Sequence, residues 1–423
     1  MNNKPNIILL ITHDTGEHIS PYGITTVDTP NCERLAREAV LFENSFCTAP
    51  QCSPSRASLV TGRFPHTNGV MGLSHADLAW AFHEDEKPAA KLLASAGYDT
   101  WLLGMQHETR DPNTLGFDVV DLGFSILDLP EHMEPLLIGR DRTKPLYCQI
   151  GCFETHQPWD WEGTRPDSSK GITVPPYLPD TEEIRQELAK FQGNVKRFDQ
   201  GLGQLLDLLE KHGFVDNTIL MVTTDHGVSV PLAKATLYDP GIKTMLFMRY
   251  PKGGWPAGLR LSEMISNVDI LPTLLEACQI DVPDNIHGRS FLGLLTGRDY
   301  EPNRYIFSEK TFHTRYDPMR SIRTNRFKYI QYFEKSSLIE IPAACVTWKG
   351  VRIMRRHWCE LFDLEKDPNE TKNLAQDPEY EATLVELRQR LARWMKETND
   401  PLLDGPVASP FYYRSMQRLK DAL

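Results

Sequence analysis

Ile7-Ile8-Leu9-Leu10-Ile11-Thr12-His13-Asp14 reads as a strand with no polar side until its last residues. A run of consecutive aliphatic residues cannot alternate between core and water. Both its faces must be buried, which is the pattern of a parallel sheet covered by helices. Thr218-Ile219-Leu220-Met221-Val222-Thr223 has the same texture, and it too runs into a charged end, Asp225-His226-Gly227. Between these runs the periodicity predicts helices at 31–38, 87–96 and 182–211, and shorter strands at 99–103, 146–151 and 243–248. Strands alternating with helices over the first 290 or so residues predict an α/β layered fold, in which ligands collect beyond the carboxyl ends of the strands. From about Tyr305 the texture changes to short strands with turns, at 305–308, 319–323, 327–331 and 360–363, before an amphipathic helix at 379–397. The expected division is therefore a catalytic domain over 1–300 and a smaller α+β domain over 301–423, with a short antiparallel sheet and a closing helix. Residues 164–179 are Pro-rich and are expected to form a surface loop.

A chain of 423 residues suits one large and one small domain. Its formal charge of −11 argues against a nucleic-acid or anionic-membrane partner, so an anionic substrate must be met by a local basic cluster. The eight cysteines include no C-x-x-C pair, hence neither a zinc knuckle nor a disulfide framework is signalled. No stretch approaches a membrane span. If Met1 is the native start, the absence of an apolar leader predicts a cytoplasmic protein.

Two buried strands ending in His13-Asp14 and Asp225-His226 raise an electrostatic question. A carboxylate at such a position is costly unless paired or bound to a cation, so the two ends together suggest one divalent site. Each Asp could alternatively cap the turn that follows it. A third feature is Cys52-Ser53-Pro54-Ser55-Arg56, just ahead of a helical run at 57–61. Unpaired N–H groups at a helix start favour an anion, and Arg56 adds a fixed positive charge. On these five residues alone, a small buried thiol remains the alternative.

The Cys52-to-Arg56 segment resembles the Cys-x-Pro-x-Arg motif of type I sulfatases, within the alkaline-phosphatase superfamily. That resemblance implies an alkaline-phosphatase-like sandwich: a large mixed, mainly parallel sheet flanked by helices, plus the smaller C-terminal unit. It implies conversion of Cys52 to formylglycine by a formylglycine-generating or anaerobic sulfatase-maturating enzyme. It also implies one divalent metal on Asp14, Asp225, His226 and residue 52. Ca²⁺ is the expected ion, with Mn²⁺ or Zn²⁺ as alternatives, because His13 stands where the family usually carries an Asp. His13 then either ligates the ion or orients Asp14.

Leu103-Gly104-Met105-Gln106-His107 resembles the family's Gly-Lys-x-His segment, with Met105 in place of the sulfate-binding lysine. Glu154-Thr155-His156 resembles the segment that supplies a leaving-group histidine, and Lys234 stands at the distance where sulfatases place a basic residue on the sulfate. The implied catalytic set is Cys52, Arg56, His107, His156 and Lys234. In the resembling enzymes one hydroxyl of the formylglycine hydrate attacks sulfur, His156 protonates the leaving group, and His107 deprotonates the second hydroxyl so that sulfate is ejected. Arg56 would hold the hydrate and Lys234 the sulfate.

Residues 52–73, Tyr316-Asp317-Pro318-Met319-Arg320-Ser321 and 394–401 resemble the sulfamidases, which remove N-sulfate from glucosamine. By position, His313, Arg315 and Arg320 are substrate-pocket candidates. The expected substrate is a small, terminal sulfate ester or sulfamate of a sugar, with no nucleic acid or membrane involved and a homo-oligomer left open. Phosphonate monoester or phosphodiester hydrolysis is the rival activity. A catalytically inactive binding protein is the reading from another class, and the intact motif residues weigh against it.

Overall fold

The first apolar run forms β1 (Asn6–Thr12) at the middle of a sheet that has nine strands among the described residues. The structure is a computed structural model, and it describes residues 4–75, 77–160, 163–335, 345 and 357–423. The other strands of this sheet are β2 (Val40–Phe46), β3 (Asp99–Gly104), β4 (Val119–Leu122), β5 (Leu146–Gly151), β6 (Thr218–Thr224), β7 (Lys243–Thr244), β8 (Leu246–Arg249) and β9 (Arg260–Ser266). They run in the order β4-β3-β5-β1-β6-β8-β2, with β7 and β9 also paired to β2. Pairing is parallel from β4 through β6 and antiparallel where β8 meets β6 and β2.

The unbroken aliphatic run behaves as its composition requires. Ile8 and Leu10 enter one apolar core, with Leu35 from helix α1 (Pro30–Glu38) and Phe191, Phe198 and Leu202 from the long helix Glu182–Lys211. Ile7, Leu9 and Ile11 enter a second core on the opposite side, with Leu59 and Val60 from helix α2 (Cys52–Thr61), Leu93 from Ala89–Ser95 and Leu271 from Ile270–Ala277. A sheet covered on both faces buries its central strands completely.

One expectation is corrected and three strands are new. The strand expected at 243–248 is interrupted at Met245, whose N–H leaves the ladder and donates to the carbonyl of Gly16 at 3.0 Å. β2, β4 and β9 were absent from the sequence reading. β9 is an edge strand with an exposed first half, and its register against β2 shifts between Phe42 and Asn44. The Pro-rich 164–179 stretch is a surface loop as expected, and it is anchored: Gln192 donates to the carbonyls of Asp167 and Gly171, and Leu178 is buried.

The C-terminal strands β10 (Ile306–Phe312), β11 (Tyr316–Arg323), β12 (Phe327–Tyr332) and β13 (Cys359–Asp363) form an antiparallel sheet in sequence order. One face carries helix Glu381–Glu397, whose Leu387, Leu391 and Trp394 pack on Ile322, Tyr329 and Leu361. The other face shares a core with the large sheet, where Phe46 and Met264 meet Ile306, Met319 and Phe362. The β10–β11 turn at 313–315 thereby comes to the carboxyl-end side of the large sheet, close to the strand ends described next.

Candidate active site

The in-register pairing of β1 and β6 sets Thr12 opposite Thr224, so the residues leaving both strands emerge side by side. Asp14 adopts a left-handed backbone (φ 56°), which turns its N–H onto Asp225 Oδ1 at 2.9 Å. Asp tolerates that conformation better than most residues do. Gly227 has no such latitude. A Cβ there would lie 1.8 Å from the carbonyl oxygen of Pro240, so only glycine lets the chain turn away after His226.

Helix α2 brings the third element. Cys52 is its first residue, at the N-terminal end where backbone N–H groups lack helical acceptors. All ten residues of this helix are buried, polar ones included. Asn267 accounts for much of this, donating to the carbonyl and hydroxyl of Ser55, while Ser55 Oγ donates to the carbonyl of Asp225 at 2.5 Å. The helix is thus tied directly to the end of β6.

His13, Asp14, Cys52, Asp225 and His226 bring donor atoms within 4.8 Å of one another, all buried. His13 Nδ1 lies 2.8 Å from Asp14 Oδ1 and 3.2 Å from Asp225 Oδ2. His226 Nε2 lies 3.1 Å from Asp14 Oδ1 and 3.5 Å from Cys52 Sγ. Metal–ligand bonds of about 2.0–2.3 Å put neighbouring ligands about 3–4 Å apart, so this donor set fits one ion. Lys234 Nζ donates to Asp14 Oδ2 at 2.6 Å, leaving Oδ1 on the side of the imidazoles.

The charges respond to one another. Burial lowers the pKa of His13 and His226, but Asp225 and Asp14 outweigh it and raise them to about 9 and about 10. Burial pushes the carboxyls up, yet Asp14 is held well below the usual range, chiefly by Lys234 and His226, and Asp225 is lowered by His226, His13 and Arg56. Burial would also raise the Cys52 thiol, but Lys234 and His13, with hydrogen bonds from His107 and His13, draw it well below its ordinary value. A metal ion on these carboxylates and imidazoles would compete with protons for the same atoms.

Around this centre the structure gathers His107, whose Nδ1 is 3.2 Å from His13 Nε2, and His156, whose ring centroid is 4.4 Å from that of His13. Burial, Lys234 and His13 lower the His156 pKa to about 3, so it is a neutral imidazole, and its Nδ1–H donates to the carbonyl of Gln157. Met105, two residues before His107, is buried and adds no charge.

Two of the nominated arginines are held by buried carboxylates. Arg56 does not reach Cys52 with a hydrogen bond. It donates from Nε to Asp225 Oδ2 at 3.0 Å and from Nη2 to the carbonyl of Thr12 at 2.9 Å, so it braces the two strand ends. Arg320 is not a substrate-pocket residue. It is fully buried on β11 with its donors spent on Asp400 (2.6 and 3.0 Å) and on the carbonyls of Lys310 and Met319, with Thr311 Oγ1 at 3.2 Å. The motif carrying it marks a structural ion pair. Arg320→Ala is expected to destabilise the protein by about 3–5 kcal/mol, because Asp400 stays buried without its partner. KM of the folded fraction should not change, and a raised KM at unchanged stability would contradict the assignment.

His313 and Arg315 lie together in the β10–β11 turn, half-buried and exposed respectively, with the His313 N–H donating to the Arg315 carbonyl at 3.2 Å. Sequence reasoning missed their neighbour. His75 packs its ring 5.3 Å from that of His107, and after burial its pKa is lowered by His107, with His313 contributing. It also missed Glu108, buried, which accepts the His107 N–H and a Gln149 N–H, both at 2.8 Å, and so fixes the His107 loop. Adjacency to His107 was the available signal for Glu108; nothing local marked His75.

Comparisons with known proteins agree with this geometry. A family model described as "Sulfatase" matches residues 5–280, and one described as "N-sulphoglucosamine sulphohydrolase, C-terminal" matches 228–343. The human N-sulphoglucosamine sulphohydrolase is 29% identical over 464 residues, spanning 95% of this chain and 92% of the relative. A solved structure described as in complex with its substrate D-glucosamine-2-N,6-O-disulfate superposes with a TM-score of 0.77 at 22% identity, covering 94% of this chain and 98% of that one. The phosphonate monoester hydrolase of Agrobacterium radiobacter superposes with a TM-score of 0.75 at 20% identity, over 93% and 96%. With the family model covering well over half its length, this chain belongs to the sulfatase family and is a sulfuric ester hydrolase.

Proposed function

We propose that the protein removes a terminal sulfate, as ester or sulfamate, from a small sulfated sugar, using formylglycine formed at Cys52 and one divalent ion. The observation that carries this is the placement of Cys52 Sγ 3.5 Å from His226 Nε2, inside a buried set of two carboxylates and two imidazoles, with Lys234 on Asp14. The likeness to the human N-sulphoglucosamine sulphohydrolase supports an N-sulfated sugar as substrate.

Each residue then has a job. A cation held by Asp14, Asp225 and His226 would supply Lewis acidity to a hydroxyl on residue 52 and to a sulfuryl oxygen. The aldehyde hydrate would offer two hydroxyls, one to attack sulfur and one to let sulfate leave. Lys234, with two ammonium hydrogens beyond the one given to Asp14, faces the charge of the sulfuryl group. His107 and His156 flank residue 52 for proton transfer. His156 is neutral before substrate binds, so its role as acid depends on the sulfuryl anion stabilising a proton on Nε2. Arg56 keeps Asp225 aimed. At the rim, His75, His313 and Arg315 suit one sugar unit and not an extended polyanion, which would need many more cations.

Phosphonate monoester hydrolysis is the second reading, favoured by Met105, which leaves Lys234 with no companion cation at that position. Mass spectrometry of the peptide spanning residue 52 checks the modification. Turnover of N-sulfoglucosamine and 6-sulfated sugars, set beside phosphonate monoesters and a sulfated polymer, checks the substrate. Preference for phosphonates, or rapid internal scission of the polymer, would overturn the proposal. Lys234→Ala is expected to raise KM and lower kcat together on the sulfated sugar, since the charge it meets persists into the transition state.

A further inference from the structure

We infer that His13 is itself a metal ligand through Nδ1, making this a centre of two imidazoles and two carboxylates that selects a first-row transition ion such as Mn²⁺, Co²⁺ or Zn²⁺ over Ca²⁺, and that its outer N–H holds His107. The inference rests on the proposed metal site and adds to it the ion's class and a link to His107.

The argument starts from the second nitrogen of each ring. His226 Nδ1 lies 2.9 Å from the carbonyl oxygen of Gly227. A carbonyl only accepts, so Nδ1 carries a hydrogen, and Nε2, facing Asp14 and Cys52, is the nitrogen left to take an ion. His13 is arranged the opposite way round. Its Nδ1 faces Asp14 Oδ1, Asp225 Oδ2 and, at 3.9 Å, Cys52 Sγ, while Nε2 points out of the cluster to His107 Nδ1 at 3.2 Å. The two imidazoles thus each present one nitrogen to the same carboxylates and spend the other on an outside partner, as ligating histidines do.

His13 has no freedom to leave. Its ring is fully buried, and its carbonyl accepts from Thr155 Oγ1, which also meets Thr15 Oγ1 at 2.8 Å. Its N–H donates to the Glu154 carbonyl at 3.3 Å. A ring so fixed presents nitrogen where an oxygen ligand would suit Ca²⁺. Ca²⁺ takes shells of six to eight oxygens, whereas imidazole nitrogen suits Mn²⁺, Co²⁺ and Zn²⁺. With Nδ1 on the ion, the His13 hydrogen sits on Nε2 and is donated to His107 Nδ1, which places the hydrogen of His107 on its own Nε2. The alternative arrangement, in which His13 only orients the carboxylates, puts the hydrogen on Nδ1 and reverses the bond to His107.

The test uses the full chain stripped of metal and reloaded with single ions, read by calorimetry and by proton NMR of the Co²⁺ form. Co²⁺ and Mn²⁺ should bind at least about tenfold more tightly than Ca²⁺. The Co²⁺ spectrum should show two exchangeable, paramagnetically shifted N–H signals, from His13 Nε2 and His226 Nδ1. His13→Asp should remove one of them and swing the preference toward Ca²⁺ by tenfold or more. A single shifted signal in the unaltered protein, or equal or tighter binding of Ca²⁺, would overturn the inference whether or not the variant folds. Because these measurements involve no turnover, a protein that hydrolyses sulfate but binds Ca²⁺ best refutes this inference alone. One with two shifted signals but no sulfatase activity refutes only the proposed function.

Discussion

Cys52→Ala should abolish hydrolysis of every sulfated substrate while the fold survives. The nucleophile is expected to be residue 52 itself, and deleting such a group typically lowers kcat by roughly 10⁴–10⁶. Structurally the change is small. The Sγ atom lies in the polar cluster and not in either apolar core of the sheet, and the helix it starts is held by Asn267 and Ser55, not by the thiol. Truncation should therefore cost about 1 kcal/mol of packing at most. Steady-state kinetics with circular dichroism on the same preparation decide the matter. Residual activity above a few per cent of the unaltered enzyme, with the fold intact, would show that the nucleophile lies elsewhere.

Asp225→Ala should cost stability and activity together. Its carboxylate accepts from Arg56 Nε at 3.0 Å and from the N–H groups of Asp14 and His226, both at 2.9 Å, and none of these groups reaches water. Removing it strands a buried guanidinium whose Nη1 already lacks a partner. Breaking a buried pair from one side costs about 3–5 kcal/mol. Urea unfolding should be run in the presence of chelator, so that the lost ion pair is measured apart from lost metal binding. A change below about 1 kcal/mol under those conditions would mean that Arg56 relaxes to another acceptor. Activity should disappear in parallel, since Asp225 is one of the proposed ligands.

How much of this was visible beforehand depends on whether the signal is local. The runs at 7–11 and 218–223 announce buried parallel strands because nothing else accommodates consecutive aliphatic residues, and the structure has β1 and β6 there. The long helix at 182–211 was equally plain in its periodicity. β2, β4 and β9 were missed because Val40–Phe46, Val119–Leu122 and Arg260–Ser266 mix polar and apolar residues without a sustained run or a clean alternation. That pattern is not distinguishable from a loop until a partner strand is known.

The same division runs through the site. Residue types and motif spacing in the chain suffice to nominate Asp14, Cys52, Asp225, His226, His107, His156 and Lys234, because each chemistry demands particular side chains and the family resemblance supplies their order. Charge and size alone cannot separate an arginine that meets substrate from one that holds the fold together. Arg320 was nominated as substrate-binding and Arg56 as the holder of the nucleophile, yet both are buried against carboxylates brought from 80 and 169 positions away in the chain. His75 became visible only when the loop carrying it folded onto His107. What His13 does was also undecided in sequence: the identity of the residue shows that nitrogen replaces oxygen, but only the register of β1 on β6 turns Nδ1 toward two carboxylates and Nε2 toward His107. A side chain's chemistry is written in its residue type, whereas its partners are set by long-range strand pairing and burial, which no local pattern encodes.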